Sequence, residues 1–174
     1  MNFTELIQNR QSCRNFSASE VSESDITKCL EAARLSPSAC NAQPMHFTVC
    51  TGALAPQVAE CTQSMGMNKF TSNVPCFIVI SEDRYTASAA VGSRVKGTDY
   101  RSIDIGIATV HFTLAATDCG LSTCILGWFD GKKAQKLLGI KNDIRLIIAV
   151  GYAADEDTLR KKVRKDLSNL ADFR

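Results

Sequence analysis

The stretch IDIGIATVHFTLAATDCG, residues 103–120, constrains this chain more than any other. Its only charged side chains are Asp104 and Asp118, near its two ends, and its middle carries a single histidine, His111. Read as a helix, it is apolar on most of its faces. A helix of that kind belongs in the middle of a protein, covered by other elements. Asp104 suits the positive end of such a helix, and Gly120 suits the residue just past its end. No uninterrupted apolar run reaches the roughly 18 residues of a membrane span.

The covering elements can be read on either side. NFTELIQNR predicts a short first helix. Ser22 caps a second, in which Ile26, Cys29, Leu30 and Ala33 fall at helical spacing, and Pro37 lies just beyond it. HFTVCT (46–51) reads as a strand and PQVAECTQSMG (56–66) as a helix. CFIVIS (76–81) and IRLIIAVGYA (144–153) read as core strands, the first nearly all apolar. STCILGW (122–128) is a further strand and GKKAQKLLG (131–139) a short helix. Residues 81–102 read as the most loop-like part, and the charged tail from Asp155 as partly helical. The pattern is α+β, with about four core strands and five or six helices. A length of 174 residues fits one domain, 1–174, with a single sizeable core.

Charge narrows the possible partners. A formal net charge of +2 argues against a general nucleic-acid or membrane binder. The N-terminus shows no signal-like apolar segment, and the expectation is a cytoplasmic protein. The eight cysteines are scattered, with no CxxC, and only two histidines accompany them. They read as reduced thiols acting as small hydrophobes, with no metal site. Gly92 and Gly97 imitate a phosphate-binding loop, but no lysine follows the second glycine, and no GxGxxG occurs. His111 reads as a satisfied core histidine, and Cys119 with Cys124 as structural.

Three polar clusters remain. RQSCR (10–14) offers two guanidiniums four residues apart, which share a face if the first helix continues. With Ser12 they suit a phosphate and a second polar oxygen. SPSACNAQPMHF (36–47) combines small residues with two amides. Ser38 and Ala39 allow a flat ligand close to the backbone, and Asn41 and Gln43 match a heterocycle edge bearing both N–H and C=O. Pro37 and Pro44 stiffen the segment. RKKVRK (160–165) is the densest basic run, and part of it could return to a phosphate held by Arg10. Each cluster alone also fits a solvated helix end, a capped turn or a solvated face.

In this order the motifs RQSCRNF, SPSACNAQPMHF, NKFTSNVPCFIVIS, IDIGIA…AATDCGLSTCILGWF and IIAVGYA with its basic tail resemble the nitroreductase family, over nearly the whole chain. The likeness is to its short bacterial members. It implies a nitroreductase-like α+β fold, with a central, mainly antiparallel sheet surrounded by helices, in a domain-swapped type of homodimer. FMN would lie at the dimer interface. Arg10, Gln11, Ser12 and Arg14 would hold its phosphate, ribityl chain and pyrimidine end, and Lys162 and Arg164 would also meet the phosphate. Pro37, Ser38 and Ala39, with Asn41 beside them, would come from the partner. Gln43 and Asn68 would meet the polar ring edge. Ile125, Leu126 and Gly127 would run past N5 with their backbone N–H groups.

The implied activity is ping-pong hydride transfer from NADH or NADPH to a nitroaromatic, quinone or flavin acceptor, with no catalytic side chain. Alternatives are an FMN store or sensor, or a specialised flavin chemistry such as dehalogenation, dehydrogenation or flavin breakdown. A thiol-rich interaction protein is a third class. The sequence departs from the family at Gln11, where many relatives have arginine, and at Met45, where a tryptophan often follows Gln-Pro.

Overall fold

The computed structural model describes residues 1–174. Four strands, β1 (Met45–Thr51), β2 (Cys76–Glu82), β3 (Ser122–Leu126) and β4 (Ile144–Gly151), form one sheet in the order β1-β2-β4-β3. Every neighbouring pair is antiparallel. The central strands β2 and β4 are covered on both faces, which is why they read as unbroken apolar runs. On one face Ile78, Ile80 and Ile148 meet α2 (Glu23–Arg34) and α5 (Tyr100–Asp118). On the other, Phe77, Val79 and Ile147 meet α3 (Ala55–Thr62), with α6 (Gly131–Leu138) beside it. The short α1 (Phe3–Asn9) lies against α5, and the Met1 ammonium meets Asp118 at 3.0 Å.

The central helix forms as expected but is not covered on most sides. Ile105, Ala108, Phe112 and Ala116 are buried, while Ile103 and Val110 on its other face are half exposed. His111 is half-buried rather than in the core, and its Nδ1 lies 2.9 Å from the Ile107 carbonyl of its own helix. All eight cysteines are free.

Three local expectations are corrected. Residues 81–102 are not mainly loop, because Ala87–Lys96 forms a helix, α4. Thr86 caps it at Ala89 N–H, and Gly97, at φ 63°, ends it in the left-handed conformation that glycine adopts without strain. The central helix then starts at Tyr100, where Asp99 rather than Asp104 supplies the cap. Second, α1 stops at Asn9, and Arg10 is already non-helical, so Arg10 and Arg14 do not share a helix face. Third, the tail beyond Tyr152 is without α-helix: it holds a turn at residues 155–156 and one short 3-10 turn, Leu167–Asn169. Runs of Lys and Arg with few apolar residues give a helix no face to bury there.

Candidate functional site

The edge strand β3 organises the site. Along its first half runs the segment that follows α1: Ser12 bridges Thr123 in parallel, and Cys13 N–H donates to the Thr123 carbonyl at 2.9 Å. Phe16 bridges Ala153 next to the end of β4. The second half of that edge, Ile125 to Gly127, has no strand beside it. Ile125 is 40% exposed, while Leu126 turns its side chain into the core.

The tail comes back to the same place. Gln11 holds it with both ends of its amide: Nε2 donates to the Thr158 carbonyl at 3.1 Å, and Oε1 accepts from Arg160 N–H at 3.0 Å. Arg160 pairs with Asp157 at 2.6 Å and donates to the Ser12 carbonyl. Lys162 Nζ donates to the Arg10 carbonyl at 2.8 Å. These contacts close a cavity of about 290 Å³, lined by the 10–14 segment and residues 160–164.

That cavity is strongly positive. Six of its nine lining residues are cations, none is acidic, and the nearby Asp157 is already taken by Arg160. Arg10, Arg14, Lys162 and Arg164 have no carboxylate partner. Burial, then the charges of Arg10, Arg164 and Arg160, pull the Lys162 ammonium below its ordinary pKa. Unneutralised cations that raise one another's energy make a receptor for a compact anion. The thiols beneath are inert by comparison. Burial pushes Cys13 up to about 12 and Cys124 upward as well, so both stay protonated at neutral pH.

At the far end of β3, Asn68 stands in a left-handed conformation at φ 50°. Its Nδ2 donates to the carbonyls of Trp128 at 3.0 Å and Thr62 at 3.1 Å, and its Oδ1 accepts no hydrogen bond within the chain. Trp128 Nε1 donates in turn to the Ser64 carbonyl. The residues singled out in sequence as Arg10, Gln11, Ser12, Arg14, Lys162 and Arg164 therefore share one cavity. Ile125, Leu126, Gly127 and Asn68 continue from it along the open edge.

Pro37, Ser38, Ala39, Asn41 and Gln43 do not join them within the chain. They lead into β1, which forms the opposite edge of the sheet. Three strand spacings, roughly 14 Å, separate the two edges, and β3 turns its open edge away from β1. The loop is an ordered turn: Gln43 N–H donates to Ser38 Oγ at 3.0 Å, and Gln43 Nε2 donates to Asn41. Ala39 N–H donates to Asp104 Oδ1 at 3.0 Å. Asp104 was legible only as a helix-dipole partner, Arg160 only as one cation of the basic run 160–165, and Asp157 not at all. The one sequence signal for Asp104 is a carboxyl in an otherwise apolar segment.

Comparison with known proteins agrees on one family. The sequence profile of the nitroreductase family matches residues 7–65 and 55–152. An oxygen-insensitive NADPH nitroreductase of Helicobacter pylori is 28% identical over 193 residues, covering 92% of this chain and 91% of the relative. The crystal structure of a nitroreductase family protein from Streptococcus pneumoniae superposes with a TM-score of 0.82 at 25% identity, covering 99% of this chain and all of that one. A structure from Exiguobacterium sibiricum, solved in complex with FMN, has the same fold, with a TM-score of 0.82 at 20% identity over 100% of this chain and 98% of that one.

Proposed function

The chain belongs to the nitroreductase family, and from that premise we propose that it is an FMN-dependent oxidoreductase. Its donor is NADH or NADPH, and its acceptor is a nitroaromatic, a quinone or a free flavin. The observation that carries this reading is the cavity of unpaired cations placed directly beside an open strand edge. FMN presents a dianionic phosphate joined to a planar ring with a polar edge, and the donor set fits both parts.

When bound, FMN supplies hydride acceptance and donation at N5. The chain's own residues bind and orient it. Arg10, Lys162 and Arg164 would neutralise the phosphate, and the Ser12 hydroxyl would serve the ribityl chain. The open edge at Ile125–Gly127 offers backbone N–H groups, and the Oδ1 of Asn68, with the amide of Gln43 from a second copy of the chain, would match the ring's polar edge. Arg14 would be the cation available to negative charge on the ring when the flavin is reduced. No side-chain nucleophile is required. Gln11 and Arg160 act behind this set by fixing the tail.

The site is completed by a second copy of the chain. Pro37–Gln43 stand at the wrong edge to reach the cavity of their own chain but can face that of a partner. Unpartnered apolar groups support a homodimer: Ile103 and Val110 on α5, and Val163, Leu167, Leu170 and Phe173 on the tail are all exposed. The tail is the segment that would wrap the partner. Residues 1–174 act as a single FMN-binding domain. No helix is long and apolar enough to cross a membrane, and the free thiols fit a reducing cytoplasm.

Initial-rate kinetics on the FMN-reconstituted protein test this reading. Varying NADH or NADPH against a quinone should give parallel double-reciprocal lines, with one FMN bound per chain. Intersecting lines, or no FMN uptake, would contradict it.

A further inference from the structure

Four buried side-chain polar atoms have no partner in the protein, and three of them are Tyr85 Oη, Arg101 Nε and Asp104 Oδ2. These three meet where α4, α5 and the 36–43 loop converge. Arg101 lies over the Tyr85 ring, 4.8 Å from its centroid. Arg101 and Asp104 are one helical turn apart on α5. Burial, then the charge of Asp104, raises the Tyr85 hydroxyl above its ordinary pKa, which keeps it a proton donor.

Asp104 is only 2% exposed, and its other oxygen accepts the Ala39 N–H at 3.0 Å. That contact is the one hydrogen bond from residues 36–43 to a distant element; the others, such as Asn41 N–H to the Ser38 carbonyl and Ala42 N–H to the Ala39 carbonyl, close within the loop or on the end of α2. The loop also holds three non-glycine residues at left-handed φ: Cys40 at 50°, Asn41 at 52° and Gln43 at 46°. Such residues are strained, and they persist only where the surroundings fix them. Tyr85 leads into α4, which rests on Ala39–Asn41.

We propose that Asp104 is a positioning residue: its buried carboxyl pins Ala39 and so fixes the strained Ser38–Gln43 turn that faces the partner's flavin. This rests on the FMN reading for its purpose, but not for its geometry. Asp104 touches no ligand and acts through the loop.

Two single substitutions cut the tether from opposite ends. Asp104→Leu removes the acceptor at similar volume. Ala39→Pro removes the donor and leaves the buried carboxyl in place; proline is well tolerated at this first helical position, after Ser38 in extended conformation. Asp104→Asn retains an oxygen acceptor.

In the flavin-free protein, amide exchange at residues 40–43 should accelerate by about tenfold or more in either tether variant, the loss of one hydrogen bond to a charged group. It should not accelerate further in the double variant, and it should stay near wild type in Asp104→Asn. In the FMN-loaded protein, the tether variants should weaken FMN binding about tenfold and alter the visible circular dichroism of the flavin, and Asp104→Asn should restore both. Unchanged exchange in Ala39→Pro, or additive effects in the double variant, would overturn the tether. Altered exchange with unaltered FMN affinity and dichroism would overturn its role toward the flavin. A wild-type protein that takes up no FMN, with exchange behaving as described, would remove the FMN reading and leave the tether standing.

Discussion

Replacing Lys162 with alanine tests the phosphate cavity at its best-defined point. Nζ gives one N–H to the Arg10 carbonyl at 2.8 Å, which leaves two for an anion. A hydrogen bond to a charged group contributes about 1.5–3 kcal/mol, or roughly 10- to 150-fold in Kd. The other five cations of the cavity remain, and the side chain is partly open to water, so the lower end applies: a loss of about 10- to 30-fold. Lys165→Ala is the control. It removes the same charge three residues further on, outside the cavity lining, and should change Kd by less than about twofold. Fluorescence titration with FMN reads both. Riboflavin, which lacks the phosphate, should bind the wild type and Lys162→Ala alike. Equal FMN affinities for Lys162→Ala and Lys165→Ala would refute the assignment, as would an equal loss of riboflavin and FMN binding.

The depressed pKa of Lys162 carries a pH dependence. Its charged form is disfavoured in the folded, flavin-free protein, so raising pH discharges it earlier than in the unfolded chain; FMN binds the charged form, and its affinity measured by titration should fall as pH rises from neutrality through that pKa. A flat alkaline profile would contradict this. Gly151→Ala places a Cβ 3.0 Å from Phe16 Cδ1 and Pro75 Cδ in the core beside the site. Urea unfolding should show a loss of about 1–3 kcal/mol, and an unchanged midpoint would mean the ring contacts yield freely. Val110→Glu puts a charge on the exposed face of α5; sedimentation velocity should show monomer with reduced FMN occupancy, and a persistent dimer would place the interface elsewhere.

The parts of the fold legible in sequence are those where one physical signal dominates. Phe77 to Ile80 and Ile147 to Val150 are fully buried, and their unbroken apolar runs announce a doubly covered sheet. Ser22 and Gly120 mark helix ends by ordinary cap chemistry. Helix α4 was hidden because Gly92, Gly97 and several serines imitate a loop, and its buried contribution is only Ala89. The two halves of the basic cavity, 10–14 and 160–164, were legible as clusters, but the backbone path that joins them was not. Its determinants are single long-range contacts, such as Gln11 to Thr158 and Arg160 to Ser12, and these have no local periodicity. Asp104 shows the same limit: its role depends on an amide 65 residues away.

The most direct measurement is an anaerobic absorbance titration of the FMN-reconstituted protein, first with NADH and then with NADPH. Loss of the oxidised flavin band with at least one donor, restored by a quinone or nitroaromatic, is the predicted result, and it also identifies the donor. Flavin that binds but stays oxidised with both donors would contradict an NAD(P)H oxidoreductase and favour an FMN store or a specialised flavin chemistry.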